Sequence, residues 1–442
     1  MPSVLLLPER SYRWNFVVMG LDISLFTLAL TFASVYGVLP LFVHHLTGSN
    51  VALGLIPAVR ALGTLLPPIL VAAYVQRLRR RKPFVLAWTV FERVPYLVLA
   101  VLTPVLAAGH PTLLLWLFFA MIAVSTCASG ITSPAWLDLV ARVLPDDWRG
   151  RFFGLWSALG SLLGLGGGLL TAALLRLPDW PTGFALCFGC AFGCLIVSFV
   201  FLATTREGAP SERTAPATNW RGYAVLVRRD RNFAGYLTAN GLVTLAGMAT
   251  AFYAVDAERA LHLSDAGAGL YGVVLLAASL VGNILWGYVG DHTGHKRVLE
   301  GGALCTGLAA GVAVVSVAVA SHALVGGIIL YGAAFALVGL GSSAVQLAAL
   351  TVVLDFAAEE DRPTYIGIAS LAQVPFACAA PVVGGVIADR LGYGAVFVLT
   401  VLLGLAGTAM VVKKVRDPRH EAAVTAPAPD LEERPGREHF GG

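Results

Sequence analysis

The sequence predicts an all-α membrane protein of twelve transmembrane helices in two pseudo-symmetric six-helix bundles. Three observations carry that expectation. Hydrophobic residues make up 57% of the 442-residue chain and charged residues only 13%, against roughly 25% charged in ordinary soluble domains. The apolar residues gather into runs of the length a helix needs, about 20 residues, to cross roughly 30 Å of hydrocarbon. The two halves of the chain also repeat each other at a nearly constant offset.

Twelve apolar runs qualify as spans: 16–43, 51–75, 84–107, 112–138, 151–175, 183–203, 232–256, 267–290, 298–320, 323–354, 364–388 and 393–413. The expected domains follow. Residues 1–15 form an N-terminal segment, 16–203 and 232–413 the two bundles, 204–231 a polar central loop, and 414–442 a charged, Pro-rich tail expected to be disordered. With the N-terminus inside, 25 of the 30 Lys and Arg residues fall on one face. Only Arg176, Arg259 and Arg390 fall on the other, and Arg60 and Arg93 lie within spans. The positive-inside rule then places both termini in the cytoplasm of a multi-pass cell-membrane protein. The run Arg77-Leu78-Arg79-Arg80-Arg81-Lys82 reads as its topological anchor.

Other function classes find little support. The net charge of +4 reflects topology and not nucleic-acid binding. The apolar run Val4–Leu7 is too short for a cleavable signal, so span 1 is expected to act as an uncleaved anchor. Cys187-x-x-Cys190-x-x-x-Cys194 reads as small residues of a membrane helix, not as a cluster site. The run Gly164-Leu165-Gly166-Gly167-Gly168 lies mid-span without a following Lys-Ser/Thr, so it suits close helix packing, not phosphate binding. No metal or cofactor site is expected.

The repeat is carried by three matches. Position 76, after span 2, maps to 291, after span 8, an offset of 215. Arg149 and Gly154 map to Arg362 and Gly367, an offset of 213. The glycine run of span 5 maps to Ala380-Pro381-Val382-Val383-Gly384-Gly385 of span 11 at an offset of about 216. The loop Gly287-Tyr288-Val289-Gly290-Asp291-His292-Thr293-Gly294-His295-Lys296-Arg297 resembles the G-x-x-x-D-R-x-G-R-R motif of the major facilitator superfamily, with His292 for the first Arg. Its copy at 72–82 has Ala72, Gln76 and Arg79 where the motif has Gly, Asp and Gly. Pro145 to Gly154 resembles the family's loop into span 5. The resemblance covers about residues 14–415 and implies a secondary transporter working by alternating access.

Ionisable groups inside spans are costly and usually functional. Asp22 in span 1, Arg60 in span 2, and Glu92 and Arg93 in span 3 stand out as a coupling network. Asp22 is the better proton carrier, because the resemblance makes span 1 line the cavity, and Glu92 the likelier brace. Arg60 is either a substrate anchor or the charge that tunes a carboxylate. The cavity candidates are Tyr36, Ser129, Asn240, Tyr253, Gln346 and Gln373. The resemblance makes Gly287, Asp291, Arg149, Arg151, Gln76 and Arg77 a cytoplasmic gate. These features imply proton-coupled export of small organic solutes by a monomer in contact with membrane lipid. An importer, a uniporter or a lipid flippase on the same fold are the alternatives. An intramembrane enzyme would need a nucleophile and base at matched depth, and the spans offer none.

Overall fold

The computed structural model describes residues 9–177, 180–208, 227, 230–356 and 362–415. Among these, twelve helices are long and apolar enough to cross a membrane, and no strand occurs. In chain order the spans are Glu9–Phe32, Asn50–Arg77, Lys82–Leu106, Pro111–Val143, Asp146–Leu174, Thr182–Ala203, Arg231–Leu261, Asp265–Thr293, His295–Ala320, Leu324–Phe356, Arg362–Leu391 and Tyr393–Lys414. Most of the expected central loop, the tail beyond Val415 and the first eight residues lie outside the described residues.

Two spans differ from the expectation in the same way. Span 1 starts earlier, at Glu9, and stops at Phe32, and Val38–Leu46 is a separate short helix. At the break the Ser34 Oγ accepts from the Tyr36 amide at 3.2 Å, which gives the backbone an alternative to helical pairing. Span 7 stops its α-helical pairing at Ala246, tightens into a 3-10 turn over Gly247–Ala251, and resumes as Tyr253–Leu261. The breaks begin after residues 32 and 246, an offset of 214 that repeats the offset of the sequence motifs. Apolar content alone could not locate them, because both breaks are made from apolar and small residues.

Within the first half, span 1 packs on spans 5 and 6, span 4 on spans 2 and 3, and span 3 on span 6. The glycines of span 5 explain one of these contacts. A Cβ at Gly160, Gly164 or Gly167 would press on Ser24, Thr27, Leu28 or Thr31 of span 1. The halves meet through spans 2 and 11 and through spans 5 and 8. A Cβ at Gly54 would sit 2.0 Å from the Pro381 carbonyl oxygen, and one at Gly385 would sit 2.5 Å from that of Asn50. These glycines let the two backbones touch, which is how helices associate where no hydrophobic force separates lipid from protein.

Candidate functional site

The polar interior divides into a charge cluster, a central cavity and the two ends of the molecule. The cluster lies inside the first half. Asp22, Glu92 and Arg93 are 4%, 7% and 2% exposed. The Arg93 guanidinium donates Nε–H to the Leu195 carbonyl at 2.9 Å, and its two terminal nitrogens reach the Thr89 carbonyl at 3.1 Å and Ser198 Oγ at 3.1 Å. It lies 3.6 Å from Asp22 Oδ1 and 3.4 Å from Glu92 Oε2. Asp22 is held further: Ser198 donates to Oδ1 at 2.6 Å and the Trp136 indole donates to Oδ2 at 3.1 Å. A cavity of about 230 Å³ sits beside this group, lined by Asp22, Glu92, Arg93, Ser129, Thr132 and Trp136 among others.

The central cavity, of about 330 Å³, is formed mainly by spans 7 and 10, with Thr306 of span 9, Gln373 of span 11 and Tyr36 from the break after span 1. Tyr253, Gln346 and Gln373 line it together with Thr244 and Ser342. The expected cavity set is therefore divided. Ser129 belongs to the charge cluster's cavity. Asn240 is 1% exposed and lines neither cavity, and its Oδ1 has no hydrogen-bond partner among the described residues.

Arg60 stands apart from the cluster. It is half-buried and makes no ion pair among the described residues. The Tyr36 hydroxyl, near Ser342 of span 10, and the Tyr96 hydroxyl, near Ser125 of span 4, lie within its electrostatic reach.

At the end bearing the loops 1–2, 7–8 and 11–12, here called the far face, side chains join the halves. Asp389 accepts from the Asn50 amide and side chain and from the Val51 amide. Tyr393 donates to Asn50 Oδ1 at 2.5 Å, and Arg259 donates to the Tyr393 hydroxyl and to His44. His45 meets Asp265 at 2.8 Å and stacks on Trp180 with ring centres 4.4 Å apart. Burial and then Arg259 push His44 down to about 4. Burial also pushes His45 down, but the Asp265 carboxylate, with Glu258 nearby, outweighs it and the net shift is upward.

At the opposite, terminal face, no contact of Asp291 with Arg149 or Arg151 occurs among the described residues. Asp291 is exposed, with no hydrogen bond or ion pair among the described residues. Arg149 turns back to the Ala141 carbonyl of its own half. Arg151 and Arg77 are exposed and Gly287 is half-buried, while the Gln76 side chain lies outside the described residues.

The sequence reading missed several partners. Ser198, Trp136 and Tyr96 looked like ordinary span residues. Asp256 was placed at the edge of span 7, but the helix resumes around it, leaving it 8% exposed with the Tyr331 hydroxyl donating to it at 2.7 Å. The second half therefore also holds a buried carboxylate, in the last helical segment of span 7.

Twelve spans in two halves, joined at one end beside an internal cavity, define the architecture of a membrane transporter. The sequence pattern of the Major Facilitator Superfamily matches residues 21–257 and 237–440, so the chain belongs to that family. Its fold is similar to that of the nucleoside transporter NupG (D323A mutant), with TM-score 0.69 and 12% identity over 92% of this chain and 100% of that one. It is also similar to a D-xylose-proton symporter, with TM-score 0.68 and 16% identity over 92% and 99%. A third is a bacterial homologue of the iron transporter ferroportin in its inward-facing state, with TM-score 0.69 and 13% identity over 93% and 100%. Uncharacterized proteins of Mycobacterium tuberculosis and Mycobacterium bovis are 25% identical over 304 residues, 66% of this chain. The match spans 57% of those relatives' length.

Proposed function

We propose that the protein exports small organic solutes across the cell membrane in exchange for protons, with both termini in the cytoplasm. The far face is then the outer face, and the conformation described here is closed to the outside. One observation supports proton coupling above the rest: two buried carboxylates share a single buried guanidinium. With both carboxylates ionised the cluster would carry one uncompensated buried negative charge, which is expensive, so one carboxylate takes a proton. Asp22 has the Ser198 hydroxyl, the Trp136 indole and Arg93 to support its charge. Glu92 has Arg93 at 3.4 Å and Ser129 beside it, and it lines the adjoining cavity. Glu92 is therefore the proton carrier in this reading and Asp22 the anchor of Arg93, the reverse of the roles the sequence favoured.

Solute flux in proteoliposomes, with and without an imposed pH gradient, tests the reading. Flux that a pH gradient drives against the solute gradient is the expected result. Flux indifferent to pH would leave a uniporter, and none for any solute class would remove the transport reading. Labelling with an impermeant thiol reagent tests the orientation: Arg79→Cys should be inaccessible from outside intact cells, while Gly109→Cys should react.

A further inference from the structure

Arg60 is a cation without a countercharge at the middle of a membrane span. It is the eleventh residue of its helix, roughly 15 Å from the far-face end at 1.5 Å per residue. No carboxylate pairs with it among the described residues. The nearest acidic group on the same network, Glu92, lies one helical turn before Tyr96 and is engaged by Arg93. The Tyr36 and Tyr96 hydroxyls lie within electrostatic reach of Arg60, Tyr36 near Ser342 and Tyr96 near Ser125. Tyr36 and Ser342 belong to the wall of the central cavity, whose lining has no Asp, Glu, Lys or Arg. Arg60 is not itself in that lining; Tyr36, on which its charge acts, is.

Guanidinium and hydroxyl groups converging on one place form an anion site. Both offer N–H or O–H donors, and a planar guanidinium matches the paired oxygens of a carboxylate, sulfonate or phosphate monoester. The remainder of the cavity offers Gln346, Gln373, Thr244 and the Tyr253 ring, which suit an uncharged organic body with a few polar groups. A cationic solute would meet Arg60 with no acid to offset it.

We propose that the transported solute is an organic anion whose acidic group is bound by Arg60, assisted by the Tyr36 and Tyr96 hydroxyls, with its neutral body in the cavity lined by Ser342, Gln346 and Gln373. This rests on the reading of the central cavity as the transport site. It adds that the site selects for negative charge. The Arg60 site also lies next to the proton cluster: Tyr96 follows Glu92 by one turn, and Ser125, which faces Tyr96, donates to the Glu92 carbonyl at 2.8 Å. Anion binding at Arg60 and protonation at Glu92 thus address adjoining turns of span 3.

The test uses three probes of one size and fixed charge: benzenesulfonate, neutral benzenesulfonamide and cationic phenyltrimethylammonium. Their saturable stabilisation of the full-length purified protein is read as a shift in Tm, and their flux is measured in proteoliposomes. Benzenesulfonate should bind at least tenfold more tightly than either of the others. Arg60→Gln should abolish that preference, Arg60→Lys should keep part of it, and Tyr36→Phe should weaken sulfonate binding a few-fold at unchanged charge preference. The conservative Lys and Phe variants keep the test decisive if Arg60→Gln does not fold. Equal binding of the three probes, or a sulfonate preference that survives Arg60→Gln, overturns the anion site. So does loss of pH-driven flux in Arg60→Gln with the charge preference intact, which would make Arg60 part of the proton path. Failure of all three probes to bind the wild type also overturns it. Protein-dependent flux of any probe sustains the transport reading whichever way the charge preference falls, so the two can fail separately.

Discussion

The Asp389 carboxylate, at the end of span 11, accepts from the backbone amide and the side-chain amide of Asn50, at the start of span 2, each at 2.8 Å. A second backbone amide, that of Val51, reaches the other oxygen at 3.3 Å. The first amides of a helix have no partners in their own helix and sit at the positive end of its dipole. A carboxylate from one half thus caps a helix of the other, across 339 residues of sequence.

Asp389→Asn should loosen this closure. The amide keeps an acceptor oxygen but brings N–H donors against the helix amides. Asp389 is exposed, so the loss is set near the value for an exposed charge at a helix end, about 1 kcal/mol, or roughly fivefold in the ratio of closed to open far faces. Spin-label distances between the far-face ends of spans 2 and 11 should lengthen in a larger fraction of molecules. An unchanged distribution would remove Asp389 from the closure.

The same face should respond to pH through His45. In the closed state its imidazole faces Asp265 at the start of span 8, Glu258 and Arg259 at the end of span 7, and its neighbour His44, and it stacks on Trp180. The net upward shift means that the closed state binds a proton more tightly than an open one does. The His45–Asp265 contact therefore contributes fully below the ordinary histidine value of 6.5 and is lost as pH rises through the raised value. His44, held down to about 4, stays neutral across that window and accepts from Arg259. The closed fraction should fall between about pH 6 and pH 8 in the wild type and stay flat in His45→Gln. A pH response that survives His45→Gln would assign the effect elsewhere.

Glu92 and Asp22 should separate by phenotype. Glu92→Gln leaves Arg93 paired with Asp22, so the protein should fold, bind solute and lose pH-driven flux. Asp22→Asn removes the best-supported anion of a buried guanidinium, and breaking such a pair costs about 3–5 kcal/mol. It should lower Tm by several degrees as well as impairing transport. Glu92→Gln with intact coupling, beside a stable but uncoupled Asp22→Asn, would restore the role the sequence assigned to Asp22.

What the sequence made legible was contrast. Asp22, Arg60, Glu92 and Arg93 are ionisable groups in apolar runs, and their type alone marks them. The twelve runs and the offset of about 215 between halves were visible for the same reason. Partnership was not legible. Asp22 and Ser198 lie 176 residues apart, and nothing local says that they touch. Helix rotation decided which cavity each polar residue enters, which is why Ser129 separated from Tyr36 and Gln346. The far-face residues Asn50, Asp265, Asp389 and Tyr393 stand at span ends, where polar residues are ordinary and no contrast exists. The breaks after Phe32 and Ala246 were hidden because their residues are as apolar or as small as their neighbours.

The terminal face carries the last expectation. Asp291 is exposed at the end of span 8 and Arg149 reaches the Ala141 carbonyl, while at the far face Asp389, Asn50, Tyr393 and Arg259 join the halves. In the alternating-access cycle of the proposed exporter, that closure is exchanged for one at the terminal face. The far-face closure already displays the chemistry available: a carboxylate of one half set on a helix start of the other. Asp291 is placed to repeat it at the start of span 5, near Asp146–Arg151, with Arg149 or Arg151 adding a charge-assisted bond. The pseudo-symmetric position, 76, carries a neutral Gln, so the terminal-face closure should be asymmetric. Asp291→Asn should shift the population further toward the conformation described here, by about tenfold if 1.4 kcal/mol is lost, while Gln76→Ala should change it little. Spin labels at the terminal-face ends of spans 5 and 8 report the ratio. Equal shifts in the two variants, or none in Asp291→Asn, would leave the asymmetry without support. A shift in Asp291→Asn that Arg149→Gln reproduces would identify the guanidinium that leaves the Ala141 carbonyl when the terminal face closes.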